Sequence, residues 1–92
     1  MIQNFRHKGL RKLFESGSHS GVEAIYAEKM MRILGRLNVV TKPEEMNSPG
    51  FKLHALKGDL KDFWSVSVSA NWRIIFCFKG MDACDVDLVD YH

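Results

Sequence analysis

Cysteine is scarce in this chain: Cys77 and Cys84 are the two present among 92 residues. Two are too few for a disulfide framework and their spacing fits no zinc motif, so both are expected reduced and half-buried in strands. No apolar run approaches the ~20 residues that cross a bilayer. A charged leader followed by an apolar stretch and a small-residue cleavage site is also missing, so a cytoplasmic protein without a membrane partner is expected. Repeats, linkers and low-complexity tracts are lacking. So are the signatures HExxH, CxxC and GxSxG and any glycine-rich phosphate loop; the stretch LKGD at 56–59 has a single glycine and reads as a turn. The four histidines, His7, His19, His54 and His92, suit no metal cage by spacing, and no metal or other cofactor is expected.

Apolar residues make up 46% of the chain, enough for a folded core in one small domain spanning residues 1–92. Charge is unevenly spread. Up to Lys42 there are eight Lys or Arg against three Asp or Glu; from Asp62 onward there are two against five. Arg6, Lys8, Arg11 and Lys12 would attract a phosphate backbone, although the same pattern suits a solvated helix face. MIQNF reads as a short opening strand. Leu10, Leu13 and Phe14 recur at helical spacing, with Gly17 as a stop. From Val22 the apolar positions Val22, Ile25, Tyr26, Met30, Ile33, Leu34 and Leu37 predict a second amphipathic helix. KPEEMNSPG reads as a loop with at most a short helical turn.

The period then changes. FKLHAL predicts a short strand and FWSVSVS a strand with Trp64, Val66 and Val68 on one face and Ser65, Ser67 and Ser69 on the other, placed as surface residues would be. WRIIFCF puts Trp72, Ile74, Phe76 and Phe78 opposite Arg73, Ile75 and Cys77. The last strand alternates Cys84, Val86 and Leu88 against Asp85 and Asp87. The fold class is therefore α+β: a small antiparallel sheet with an N-terminal strand and two N-terminal helices packed on one face.

Antiparallel order gathers strand ends at one rim: His54 and Lys57, then Asn71 and Arg73, then Asp90, Tyr91 and His92. Together they offer imidazoles, cations, a carboxylate, an amide and a phenol. Cleavage of a phosphodiester by its own 2′-hydroxyl needs such a set: a base, an acid for the leaving oxygen, and fixed positive charge for the phosphorane. Arginine suits the last role because its fork matches two phosphate oxygens. Each residue also has a plainer reading. Lys57 fits a solvated turn lysine, Arg73 a cross-strand partner of Asp85 or Asp87, Tyr91 an edge aromatic, and Trp64 and Trp72 core residues. Strict alternation puts Asp90 and His92 on one face and Tyr91 on the other.

The stretches IQNFRHKGLRKLFE, KLHALKGDLKDFWSVSV, ANWRIIF and the closing DYH resemble, in order and over essentially the whole chain, the HigB-type branch of the RelE/ParE toxin superfamily. The combination of LKGD, NWRI and terminal DYH is specific, although each alone is weak. The resemblance implies a RelE-like fold and a ribosome-dependent messenger-RNA endonuclease that cuts the codon in the ribosomal A site. It also implies a cognate HigA-like helix-turn-helix antitoxin as partner, with operator DNA reached indirectly through it. Carried over residue by residue, it assigns catalysis to Lys57, Arg73, Asp90, Tyr91 and His92, and substrate contact to His54 and Asn71. Two positions depart from the family pattern: Ala55 where proline is frequent after the histidine, and Val89 where an acid often precedes DYH. A gyrase poison of the same superfamily, or a non-catalytic antitoxin-binding module, are the alternatives.

Overall fold

The structure, a computed structural model, describes residues 1–90. Helix α1 spans Lys8–Ser16 and α2 spans Ala24–Val39. A four-residue 3-10 turn follows at Pro43–Met46. Strands β1 (His54–Ala55), β2 (Trp64–Ser67), β3 (Trp72–Lys79) and β4 (Asp82–Asp90) form an antiparallel sheet in sequence order. The expected α+β architecture is the one observed.

Local chemistry explains the helix ends. At the start of α1, His7 Nδ1 accepts a hydrogen bond from Leu10 N–H at 3.1 Å, satisfying one of the first-turn donors that a helix leaves open. The helix stops at Gly17, which takes φ 72° and donates its N–H to Leu13 O at 2.9 Å; glycine enters this left-handed region without the steric cost of a Cβ. Leu10 and Leu13 are fully buried. On α2 the buried set is Ala27, Met30, Ile33, Leu34 and Leu37. Ile25, expected on that stripe, is instead 80% exposed: at 100° per residue it falls well off the arc defined by the others. Before the 3-10 turn, Thr41 donates to Glu45 Oε1 from its N–H at 2.8 Å and its hydroxyl at 3.2 Å. These bonds hold the Glu45 carboxyl below its ordinary value.

The helices pack on one face of the sheet, where Val66, Val68, Ile74, Phe76, Ala83 and Val86 complete the core. Trp64 and Trp72 are half-buried against it. The helix hairpin is tight because Gly9 and Gly21 touch. A Cβ on Gly9 would run into the Gly21 carbonyl and lie 2.8 Å from the His7 ring, and a Cβ on Gly21 would lie 2.5 Å from Gly9 Cα. Gly35, by contrast, faces open space in mid-helix. Helix propensity alone favours alanine at either site by about 1 kcal/mol, whereas forcing backbone apart costs about 1–3 kcal/mol. Gly35→Ala is therefore expected to stabilise the protein by about 0.5–1 kcal/mol and Gly9→Ala to destabilise it by at least about 1 kcal/mol. Urea unfolding of the two variants beside the wild type checks the opposite signs.

Three departures from simple alternation matter for the site. The opening segment, expected as a strand, is not one, and meets β4 in parallel through two isolated bridges, Ile2 to Ala83 and Phe5 to Val86. Its ladder is interrupted because β4 carries a bulge: Ile75 stands opposite Asp87 but Cys77 opposite Cys84, so β4 uses three residues where β3 uses two. Asp85 sits in the bulge with φ 49°. Asn4 clasps it from both sides, donating from Nδ2 to Asp85 Oδ1 at 2.7 Å and accepting the Asp85 N–H on Oδ1 at 3.0 Å, while Arg6 pairs with Asp85 Oδ2 at 3.4 Å.

The bulge changes the parity of β4. Ala83, Val86 and Leu88 face the helices, and Cys84, expected beside Val86 and Leu88, lies on the opposite face with Cys77. The two sulfurs are bonded, with Cα atoms 5.0 Å apart, rather than reduced as expected. Unbroken alternation from the Ile75–Asp87 pair would have set Cys77 against Asp85 and turned Cys84 to the other face. Only the extra residue brings the thiols together. Ser65 and Ser67, expected at the surface, are 2% and 8% exposed. The chain from Phe51 onward folds over their face, and Phe51 O accepts the Ser67 N–H at 2.6 Å.

Candidate active site

The face of the sheet turned away from the helices is not bare. The segment from Lys52 to Leu60 arches over it and encloses a cavity of about 620 Å³. Two rows of the sheet run beneath it, and their end members Asp87 and Ser67 do not line the cavity. In one, His54, Ser65, Ile75 and Asp87 stand in register across β1 to β4; in the next, Ser67, Arg73 and Val89 do. Ser65, Arg73, Ile75 and Val89 reach the cavity from below, and Lys52, His54, Ala55, Leu56, Lys57 and Leu60 from the arch.

Each basic group is presented by a specific backbone device. His54 belongs to β1, which pairs with Ser65. Lys57 caps a 3-10 turn at Gly58–Leu60, and the arch is clipped back to the sheet by Leu56 N–H donating to Phe63 O at 2.9 Å. Gly58 takes φ 69°, a conformation that favours glycine and lets the chain reverse just after Lys57. Lys52 itself sits at φ 51°, uncommon for a residue with a side chain. Arg73 is held by β3 between half-buried Trp72 and fully buried Ile74.

The result is an apolar floor under a basic rim. Lys52, Lys57, Arg73 and His54 line the cavity, and no carboxylate does so among the described residues. Low-dielectric walls strengthen a cationic field of this kind. The cavity is suited to a flat or sugar-sized group against Leu56, Ile75 and Val89 with an anionic group at its mouth.

Of the residues singled out from sequence, His54, Lys57 and Arg73 are brought to this one cavity. Asn71 lies exposed in the β2–β3 turn, where its N–H donates to Ser69 Oγ at 3.3 Å, and it is not among the lining residues. Asp90 stands opposite Trp72 in the β3–β4 register, on the alternate parity from the Arg73–Val89 pair. Register therefore sets it apart from the cavity floor. Asp85, a candidate partner of Arg73, is taken by Arg6 and Asn4. Tyr91 and His92 lie outside the described residues. Sequence reasoning missed Lys52, Ser65 and Val89. Lys52 shares the parity of His54 two residues on, which could have revealed it; Ser65 was legible as polar but not as buried.

The fold is shared with solved structures. A copper-bound mutant toxin from Helicobacter pylori aligns with a TM-score of 0.56, covering 98% of this chain and 94% of that one at 21% identity. The solution structure of a conserved hypothetical protein from the same organism gives 0.54 over the same shares, again at 21% identity. The likeness shows a shared small α+β fold. The family is shown by sequence: a model for the RelE-like toxin of the type II toxin–antitoxin system HigB matches residues 3–92. Endoribonuclease HigB of Proteus vulgaris is 45% identical over 92 residues, the full length of both chains. The chain belongs to the HigB-like toxin family.

Proposed function

We propose that this protein is the endoribonuclease toxin of a type II toxin–antitoxin pair, a single cytoplasmic domain that cuts messenger RNA in the ribosomal A site and so halts translation. The observation that carries this reading is the convergence of His54, Lys57, Lys52 and Arg73 on one cavity. Full-length similarity to a protein named an endoribonuclease supports it.

In this reading the message is bent at one phosphate so that its 2′-hydroxyl attacks. Arg73 and Lys57 take the charge that builds on the phosphorane oxygens, where fixed donors act most strongly. His54 and Asn71 contact the RNA. His92 serves proton transfer, with Asp90, two residues before it in the chain, as its supporting carboxylate and Tyr91 orienting the sugar. A neutral imidazole can accept the 2′-hydroxyl proton near physiological pH and return one to the leaving 5′-oxygen. A helix-turn-helix antitoxin of the HigA type holds the toxin inactive and carries it to operator DNA.

The test maps cut sites on a translated message with and without ribosomes, using wild type, Lys57→Ala, Arg73→Ala and His92→Ala. Cuts are expected in reading frame, only when ribosomes are present, and lost in all three variants. Equal cutting of naked RNA would remove ribosome dependence. Toxicity without any cuts would move the assignment to a gyrase poison.

A further inference from the structure

We propose that Cys77 and Cys84 form a thiol–disulfide exchange site for anionic low-molecular-weight thiols such as glutathione, and that the bond locks the bulged register of β4. The two sulfurs are bonded across β3 and β4. They line an open recess of about 600 Å³, separate from the cavity at Arg73, which Lys61, Asp62, Phe63 and Lys79 also line. In the cytoplasm, where the proposed function places this toxin, disulfides are typically transient and redox-sensing rather than structural. Here the recess gives a small thiol a route to sulfurs whose residues are otherwise buried, at 9% and 4% exposure.

The chemistry is ordinary exchange. A thiolate attacks one protein sulfur, the Cys77–Cys84 bond breaks, and the displaced thiolate takes a proton. A second thiolate then attacks the mixed disulfide, releasing the oxidised small molecule and the second cysteine thiol. Two thiols are oxidised and one protein disulfide is reduced. Lys61 and Lys79 attract the carboxylates of a glutathione-like peptide; Asp62, also on the recess, and Asp85, with Oδ2 3.8 Å from Cys77 Sγ, repel them. The two lysines are assigned the larger effect, which their removal tests.

The consequence is conformational. Cys77 meets Cys84 only because β4 inserts a residue at Asp85. In the unbulged register the two would sit on opposite faces, so the bond is compatible with one register alone. Breaking it leaves the bulge to the Asn4 and Arg6 contacts.

The experiment incubates the full chain in glutathione buffers of graded poise and counts free thiols by alkylation and mass. Thermal melting and amide exchange of residues 82–90 are then measured in each state. Two blocked thiols are expected under oxidising poise, with a melting point about 10 °C above the reduced form and slower exchange across 82–90. The shift should vanish in Cys77→Ser/Cys84→Ser, and each single variant should trap one glutathione. Lys61→Ala with Lys79→Ala should slow reduction by glutathione more than by neutral 2-mercaptoethanol. Two alkylatable thiols at every poise, or identical melting and exchange in both states, would overturn the proposal. Equal slowing by both thiols would remove the role given to the lysines. None of these readouts uses RNA, so failure here is separable from failure of the endoribonuclease reading.

Discussion

Arg73→Ala is expected to slow cleavage of translated message by about 10²–10³-fold, the usual effect of removing one preorganised charge-stabilising donor. Arg73 reaches the cavity from β3, a strand that pairs on both sides, with β2 and β4. Its Cα position is therefore set by the sheet rather than by the mobile reach of a loop lysine. Preorganisation is the point: a donor already in place needs no reorganisation as negative charge develops. Arg73→Lys should recover only part of the loss, because an ammonium ion cannot offer the paired donors that match two phosphate oxygens. Single-turnover rates at saturating ribosomes, compared with half-saturation values, provide the measurement. A loss confined to half-saturation would show that Arg73 binds RNA without stabilising the transition state.

Phe76→Ala should strongly destabilise the protein. Phe76 is fully buried in the middle of β3, with its ring edge-on to Phe78 at a centroid distance of 6.0 Å. Truncating a buried phenylalanine costs about 3–5 kcal/mol, while a domain of this size has a total of about 5–14 kcal/mol. A fall in melting temperature of more than about 12 °C follows. Phe76→Leu, which keeps most of the volume, should cost about 1.5 kcal/mol or less. Calorimetry of both variants checks the ratio. A small loss for Phe76→Ala would mean that the helices collapse onto the vacated space. The residues on either side, Ile75 and Cys77, face the other way, so this one side chain couples the core to both the cavity and the cysteine pair.

Much of the molecule was readable before any coordinates. Local rules sufficed for α1, with Gly17 at its stop, and for the buried positions Met30, Ile33, Leu34 and Leu37 of α2, since helical period and capping act over a few residues. Period-two alternation in β2 and β3 placed Val66, Ile74 and Phe76 in the core. Residue type marked His54, Lys57 and Arg73 as chemically capable, and their gathering in one cavity follows from simple antiparallel order.

What failed was whatever depended on two distant segments meeting. Ser65 and Ser67 look like surface residues on their own strand, and are buried because the arch from Lys52 to Leu60 lies over them. Ile25 looks apolar and therefore inward, but its angle around α2 turns it to solvent. The pairing of Cys77 with Cys84, and the placement of Asp90 on the parity away from Arg73, hinge on cross-strand register and on an extra residue at Asp85 held by Asn4, some eighty positions earlier. Sequence by itself determined the order and period of the elements and the chemical groups on offer, because those are properties of neighbouring residues. Tertiary structure alone decided which groups share a cavity and which share a bond, because register is set by contacts between strands, and a single inserted residue reverses every face beyond it.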